Sequence, residues 1–113
     1  MSLRPPQFLS TSPRFETGVS ILEAELMSER ASTLGRLGRA AERAIAALRD
    51  HPAEAADPAT RAALLKSAAD AVWCYFVQRE VIGLRDHRAV IADYAIPREV
   101  LVRLGVVEPR RAP

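Results

Sequence analysis

The sequence predicts an all-α protein: a long antiparallel helical hairpin closed by two short C-terminal helices and completed by self-association into a helical bundle. Apolar residues recur at a spacing of three and four over two long stretches, as on one face of an amphipathic helix. No segment shows the alternation of apolar and polar residues between turn residues that a half-buried strand requires. The eight prolines fall where helices begin or where none is expected.

Composition divides the chain into three parts. Residues 1–19 are rich in proline, serine and threonine and lack helical periodicity, so we expect an extended arm. Residues 20–105 carry the apolar periodicity and form a single helical domain. Residues 106–113 form a short tail after Gly105, a residue type that commonly ends helices.

The first helix is expected to begin at Ser20 and to run to about Asp50. Ser20 and Glu23 have the spacing of a capping box, in which a hydroxyl and a carboxylate bind the first free amides of a helix. The apolar seam of this helix repeats every seven residues, which is typical of helices that pair. The seam consists of Met27, Leu34, Ala41 and Leu48.

A stripe of small side chains runs beside this seam: Ala24, Ser28, Ala31, Gly35 and Gly38. An interior glycine destabilises a helix by about 1 kcal/mol relative to alanine. Either another segment approaches this face closely and offsets the cost, or the glycines are tolerated on an exposed surface. The sequence leaves both interpretations open.

The second helix follows a short linker, residues 51–57. Asp57 and Pro58 are expected to be its N-cap and first residue, and it runs to about Gly83. Because the linker is short, the two long helices form an antiparallel hairpin.

Beyond its core stripe, the second helix has an apolar patch on the opposite side, formed by Cys74, Val77 and Val81. A helix that is apolar on both sides is expected to be buried on both sides. Two short helices, at about residues 85–94 and 97–104, are available to cover the patch. Since they are short, we expect apolar surface to remain for a second subunit. Cys74 is expected to be a packed thiol.

Arg79 points into the centre of the core stripe of the second helix, where a guanidinium needs carboxylate or carbonyl partners. The register of the hairpin places it near Arg30 and Glu23, which interrupt the apolar arc of the first helix. We therefore predict a polar layer that is either a structural ion network or an anion site, with Glu23, Glu80, Asp86 and Asp93 as the candidate acidic partners. Its candidate residues are Glu23, Arg30, Arg79, Glu80, Asp86, His87, Asp93 and Tyr94.

Residues 77–87, VQREVIGLRDH, concentrate side chains that carry chemistry around a glycine that allows a bend. In one interpretation, His87 with Asp86 or Asp93 is a general base and Arg79 binds an anionic group. In the other, which the sequence favours, His87 is a hydrogen-bonded histidine among locally paired charges. No nucleophile motif, phosphate-binding loop or set of metal ligands accompanies the string. We therefore predict no catalytic residue, no metal and no cofactor.

Residues 89–104 are similar to a helix-turn-helix unit with Ala95 at the turn, although Ile91 stands where that motif needs a small residue. This similarity makes a DNA-binding regulator the alternative function. The candidate contacts are Arg36, Arg39, Arg43, Arg98 and Arg103. The first three form a row on the outer face of the first helix, which a solvated helix face would also show.

The overall charge and hydropathy narrow the partners and the location. A formal net charge of +2 is only mildly basic, so nucleic acid is not the expected partner. The first twenty residues lack the apolar segment of a signal peptide, and no window reaches the roughly 18 apolar residues of a membrane span. We expect a cytoplasmic protein without membrane contact.

Two blocks carry a resemblance to a known family: LEAELMSERASTLGRLGRA at residues 22–40 and AVWCYFVQREVIGLRDHRAVIADYAIPREVLVRLG at residues 71–105. They resemble a family of short, uncharacterised bacterial proteins, a domain of unknown function. The resemblance implies a bacterial, cytoplasmic, all-helical protein. It transfers no catalytic or binding residue.

These observations favour a non-enzymatic protein-interaction module that self-associates, most simply as a homodimer with twofold symmetry. The DNA-binding regulator is the alternative. A small-ligand or anion binder, or an enzyme, that uses Arg79 and His87 is the third interpretation.

Overall fold

The computed structural model describes residues 13–105, with side chains from residue 17 onward. Over this range the chain contains no strand, and the predicted all-α fold is confirmed: two long helices pack against each other and two short helices follow. The four helices are α1 (Pro13–Arg49), α2 (Pro58–Val81), α3 (Arg88–Asp93) and α4 (Arg98–Arg103).

The chain divides into two compact units, residues 1–32 and residues 33–113. Residues 1–12 of the predicted arm and the whole predicted tail, residues 106–113, lie outside the described residues. The remainder of the predicted arm, residues 13–19, is helical.

α1 begins earlier than the sequence predicts. Its first helical residue is Pro13 and Ser20 lies inside the helix, so the predicted start at Ser20 is wrong. Proline suits the first turn because the N–H that it lacks would have no partner there. The spacing of Ser20 and Glu23 is compatible with a helix interior as well as with a cap, and the pattern could not separate the two.

In the unit that ends at residue 32, residues 19–32 are all exposed. Met27, the first residue of the predicted seam, is 68% exposed. The seam is therefore buried only in the second unit, where Leu34 is half-buried and Ala41 and Leu48 are buried. Five large apolar side chains are exposed in the first unit: Val19, Ile21, Leu22, Leu26 and Met27.

The core lies in the second unit, between α1, α2 and the two short helices. Ile45 and Leu48 of α1 and Val72 of α2 are at most 1% exposed. The short helices add Val90 and Val100 to the same cluster. The buried residues are Ala41, Ile45, Leu48, Ala68, Ala69, Val72, Tyr75, Phe76, Val90, Ile96 and Val100.

The turn into α2 is the one that the sequence predicts. Asp57 is the N-cap and Pro58 the first helical residue. The Asp57 carboxylate accepts hydrogen bonds from the backbone N–H of Thr60 at 3.0 Å and from its hydroxyl at 3.1 Å. A free amide of the first turn is thereby satisfied, which holds the start of α2.

Gly38 is buried where α1 meets two tyrosine rings. A Cβ atom at this position would lie 3.0 Å from the hydroxyl oxygen of Tyr94 and 3.2 Å from Cε1 of Tyr75. A Cβ at Gly35 would meet only the guanidinium end of Arg39, at 3.3 Å. Close approach therefore explains Gly38. The other three residues of the small stripe are exposed: Ala24, Ser28 and Ala31.

The short helices leave the outer patch of α2 exposed: apolar surface remains, as expected from their length, but the expected burial of α2 on both sides is not seen within the described residues. Trp73, Val77 and Val81 are 56%, 40% and 62% exposed, and Cys74 is exposed and not packed. α3 and α4 insert Val90 and Val100 into the core instead. Six-residue helices provide about one buried side chain each, which is enough to close the core but not to wrap around α2.

Candidate functional site

The chain reverses direction at the end of α2 and brings His87 back over that helix. Gly83 has a φ of +98°, the left-handed conformation that ends many helices. Around it the N–H of Leu84 donates to the carbonyl of Arg79 at 2.8 Å, and the N–H of Gly83 donates to that of Glu80 at 3.0 Å. This Schellman motif turns the loop so that the His87 ring stacks on Phe76, with ring centroids 4.1 Å apart. The bend predicted at Gly83 is confirmed.

Arg79, His87 and Glu80 form a hydrogen-bonded chain at this turn. Nε of Arg79 donates to Nδ1 of His87 at 3.0 Å, and Nε2 of His87 lies 2.9 Å from Oε2 of Glu80. Because a guanidinium can only donate, Nδ1 is the acceptor, and the ring proton of the neutral imidazole is on Nε2, facing the carboxylate. Both nitrogens of His87 are thus engaged, and the ring links a cation to an anion.

The guanidinium of Arg79 also holds the loop backbone. Its Nη2 donates to the carbonyl of Asp86 at 2.9 Å, and its Cζ lies 5.9 Å from the centroid of the Tyr75 ring, within cation–π range. Arg79 is half-buried, and both hydrogen-bond acceptors are neutral. The carbonyl of Asp86 is one of the two partner types predicted for Arg79, whereas the imidazole of His87 takes the place of the expected carboxylate.

The Asp86 carboxylate pairs with Arg88, with a shortest contact of 2.7 Å. The hydrogen bonds from Arg88 hold the pKa of the Asp86 carboxyl well below its usual range. Asp93 is the last residue of α3 and is exposed. Of the remaining candidates, Glu23 and Arg30 are exposed on α1 in the unit that ends at residue 32.

Gly38 of α1 packs against the ring of Tyr75 of α2. The predicted proximity of Arg79 to Arg30 and Glu23 stays a prediction.

Two tyrosines border this cluster. The rings of Tyr75 and Tyr94 stack with centroids 5.7 Å apart and an interplanar angle of 3°, and the Tyr94 hydroxyl donates to that of Tyr75 at 3.4 Å. This hydrogen bond, with partial burial, raises the pKa of Tyr94 to about 12. The sequence predicted Tyr94 as a member of the polar layer but missed Tyr75, because its position in the apolar stripe suggested only packing.

We expect the Tyr75→Phe substitution to lower the pKa of Tyr94 from about 12, since it removes the first cause of the shift. The Tyr94 pKa is raised in the folded state, so its contribution to stability is present below the unfolded pKa of about 10 and is lost as the pH rises through about 12. Tyrosinate absorbance against pH measures the midpoint, and the single remaining tyrosine makes the curve assignable. Circular dichroism along the titration controls for unfolding. A midpoint that stays near 12 in the folded variant would contradict this account.

The predicted helix-turn-helix segment has its two helices and its turn. Ala95 takes a φ of +50°, as a turn position of that motif would require. Arg98 and Arg103 lie on α4 and are exposed, and so are Arg36, Arg39 and Arg43 on α1. However, α4 has six residues and includes the acidic Glu99 in its first turn. Contact of these arginines with DNA stays a prediction.

α4 is fastened to α2 by an ion pair that the sequence analysis missed. The Arg61 guanidinium donates to both carboxylate oxygens of Glu99, at 2.9 and 2.7 Å, and these bonds lower the pKa of Glu99. Arg61 also donates to the carbonyl of His51 at 2.7 Å. Arg61 and Glu99 are 38 residues apart in the chain, and no local pattern links them.

The described residues therefore define a small all-α protein in which the loop between α2 and α3 is held against α2 by the Arg79–His87–Glu80 chain. They contain no group of three His, Cys, Asp or Glu residues that could hold a metal ion. Within the same range, no helix is long and apolar enough to cross a membrane.

The chain belongs to a family of unknown function, DUF6665, whose model matches residues 1–111. The resemblance that the two sequence blocks indicated, to a domain of unknown function, is confirmed over nearly the whole chain. No curated protein and no solved structure matches it.

Proposed function

We propose that the protein is a cytoplasmic, non-enzymatic interaction module that associates with a second copy of itself through its long helices, most simply as a dimer. The observation that carries this proposal is the first unit of α1, where residues 19–32 are all exposed although five of them are large and apolar. Exposed apolar side chains that are adjacent on a helix typically mark an interaction surface.

The exposed apolar side chains of α1 can supply the free energy of association. Burying one leucine, isoleucine or methionine side chain stabilises a contact by about 1.5 to 3 kcal/mol. Leu22 and Met27 are 65% and 68% exposed, so most of this stabilisation is still available to a partner. Helix α1 has 37 residues, and only its C-terminal part contributes buried residues to the core of the second unit.

The non-enzymatic part of the proposal is supported by the Arg79 cluster. A general base needs a nitrogen or oxygen that can accept a substrate proton. Both nitrogens of His87 are instead bound to Arg79 and Glu80, and the ring is stacked on Phe76. This arrangement stabilises the loop between α2 and α3. Anion binding by Arg79 is the remaining alternative use of the cluster, and the residue is only half-buried.

Light scattering coupled to size exclusion tests the proposal. We expect a mass of twice 12.4 kDa at micromolar concentration. The double variant Leu22→Gln, Leu26→Gln should shift the equilibrium toward monomer, because it removes two apolar side chains from one side of α1. Its matched control is Ala24→Gln, Ser28→Gln, which makes two substitutions at the same spacing on the opposite, exposed side of the same helix and should leave the mass unchanged. A mass of 12.4 kDa for the unmodified chain across the whole range would overturn the proposal.

A further inference from the structure

The outer face of α2 is apolar and uncovered in the second unit. Trp73, Val77 and Val81 are spaced by four residues and therefore line one side of the helix. We call these three residues the α2 face. Leu84, just past the end of the helix, is 44% exposed as well.

The unpaired charges at the α2 face and in the loop that follows α2 are positive. Arg103 lines a groove of about 350 Å³ together with Trp73, and Arg85 lies in the loop, four residues after Val81. Both arginines are exposed, and neither makes a hydrogen bond or an ion pair with any residue of the described range.

The acidic groups near the α2 face already have basic or hydrogen-bonding partners within the chain. Asp70 is bound by Lys66 at 2.9 Å. Glu80 is joined to Arg79 through His87. The α2 face is therefore apolar with positive borders.

α1 carries a surface of the opposite character. Val19, Leu22 and Leu26 follow one another at spacings of three and four, and we call them the α1 ridge. Residues 17–32 contain three glutamates, Glu23, Glu25 and Glu29, against the single basic residue Arg30. An α1 ridge paired with the α1 ridge of another copy would bring these glutamates together, which is unfavourable.

We infer that the α1 ridge of one copy docks on the α2 face of a second copy, with the glutamates of α1 toward Arg85 and Arg103. This inference rests on the proposed self-association and specifies its geometry. A twofold axis makes the contact reciprocal, so that each dimer contains it twice. Complementary charges at its borders select the orientation, and burial of the apolar residues supplies the stabilisation.

Trp73 provides a direct readout, because it is the chain's single tryptophan and belongs to the α2 face. Dilution from micromolar to nanomolar concentration should move its fluorescence emission to longer wavelength as the indole becomes solvated. In the Leu22→Gln, Leu26→Gln variant the emission should stay at the long-wavelength limit at all concentrations. The Ala24→Gln, Ser28→Gln control should behave as the unmodified chain.

Mixing two defective variants tests reciprocity. Leu22→Gln, Leu26→Gln lacks the ridge, and Val77→Gln, Val81→Gln lacks the face, so each alone loses both contacts and should be monomeric. A mixture retains one intact ridge and one intact face, and it should form a heterodimer that neither variant forms alone. All four positions are exposed, and circular dichroism verifies that each variant is folded.

Reversing the charge of the two arginines tests whether they contribute to the docking. Arg85→Glu, Arg103→Glu should raise the dimer dissociation constant roughly tenfold or more at low salt. The control Arg36→Glu, Arg39→Glu makes the same change in net charge on the outer side of α1 and should have a smaller effect.

The outcomes separate the two proposals. A concentration-dependent Trp73 emission that the ridge variant abolishes supports the docking. A stable dimer with solvent-exposed Trp73, or a dimer formed by the Val77→Gln, Val81→Gln variant alone, overturns the docking while self-association stands. A monomer at every concentration overturns both.

Discussion

Replacing Gly38 with leucine should lower the free energy of unfolding by about 1 to 3 kcal/mol. The Cβ of the new side chain would lie 3.0 Å from the Tyr94 hydroxyl and 3.2 Å from the Tyr75 ring, closer than such atoms normally approach. Relief would require the stacked tyrosines to separate, and the bulk of the leucine beyond Cβ enlarges the displacement. Urea unfolding at one fixed protein concentration measures the loss.

Gly35→Leu is the matched control for this substitution. It makes the same change one turn away, where the added Cβ meets only the flexible end of Arg39 at 3.3 Å. Leucine is a better helix former than glycine, so this variant should gain up to about 1 kcal/mol. The difference between the two variants isolates the tyrosine contact. Equal stability of the two would contradict the packing at Gly38.

Arg79→Ala should lower the free energy of unfolding by about 1.5 to 3 kcal/mol, the range for hydrogen bonds to a charged group. The substitution removes the donor from Nδ1 of His87, whose side chain is 13% exposed, and releases the carbonyl of Asp86. The loss stays below the roughly 3 to 5 kcal/mol expected for a broken buried ion pair, because no charge is left uncompensated in the core. It exceeds the roughly 0 to 1 kcal/mol of an exposed pair.

Two control variants show whether the loss of stability in Arg79→Ala comes from its hydrogen bonds. Arg79→Lys retains the charge but not the fork of donors, and it should lie between the unmodified chain and the alanine variant. Arg88→Ala removes an exposed arginine that pairs with the Asp86 carboxylate, and its melting temperature should equal that of the unmodified chain within error. If Arg79→Ala also melts at the unmodified temperature, the cluster does not hold the loop, and Arg79 becomes the first residue to test for anion binding.

Local patterns predicted the features that depend on neighbouring residues in the chain. The cap at Asp57, the bend at Gly83 and the seam from Leu34 to Leu48 each follow from spacings within a few turns. Arg79, Glu80 and His87 were also predicted as members of one polar layer, because the glycine bend returns residue 87 to the preceding turn of helix. The contacts that form this layer all span eight residues or fewer.

Contacts between residues that are far apart in the sequence were not predicted. Arg61 and Glu99 carry no shared local signal, and the approach of Gly38 to two tyrosines depends on the offset of the hairpin. Whether the outer face of α2 is covered depends on where the two six-residue helices pack. The number of apolar residues in these helices does not determine on which side of α2 they lie.

The amino-acid sequence was thus sufficient to predict an all-α hairpin, the cap at Asp57 and the three residues of the Arg79–His87–Glu80 chain, because helix periodicity, capping and the bend at Gly83 are local effects. Packing in three dimensions assigned Arg79 an imidazole and a carbonyl as partners, set the register of α1 against α2, and left Trp73 exposed. These outcomes follow from side-chain volume and from which surfaces meet, and both are properties of the whole core. A one-turn slip of a helix changes every contact across it while leaving the apolar pattern of the sequence unaltered.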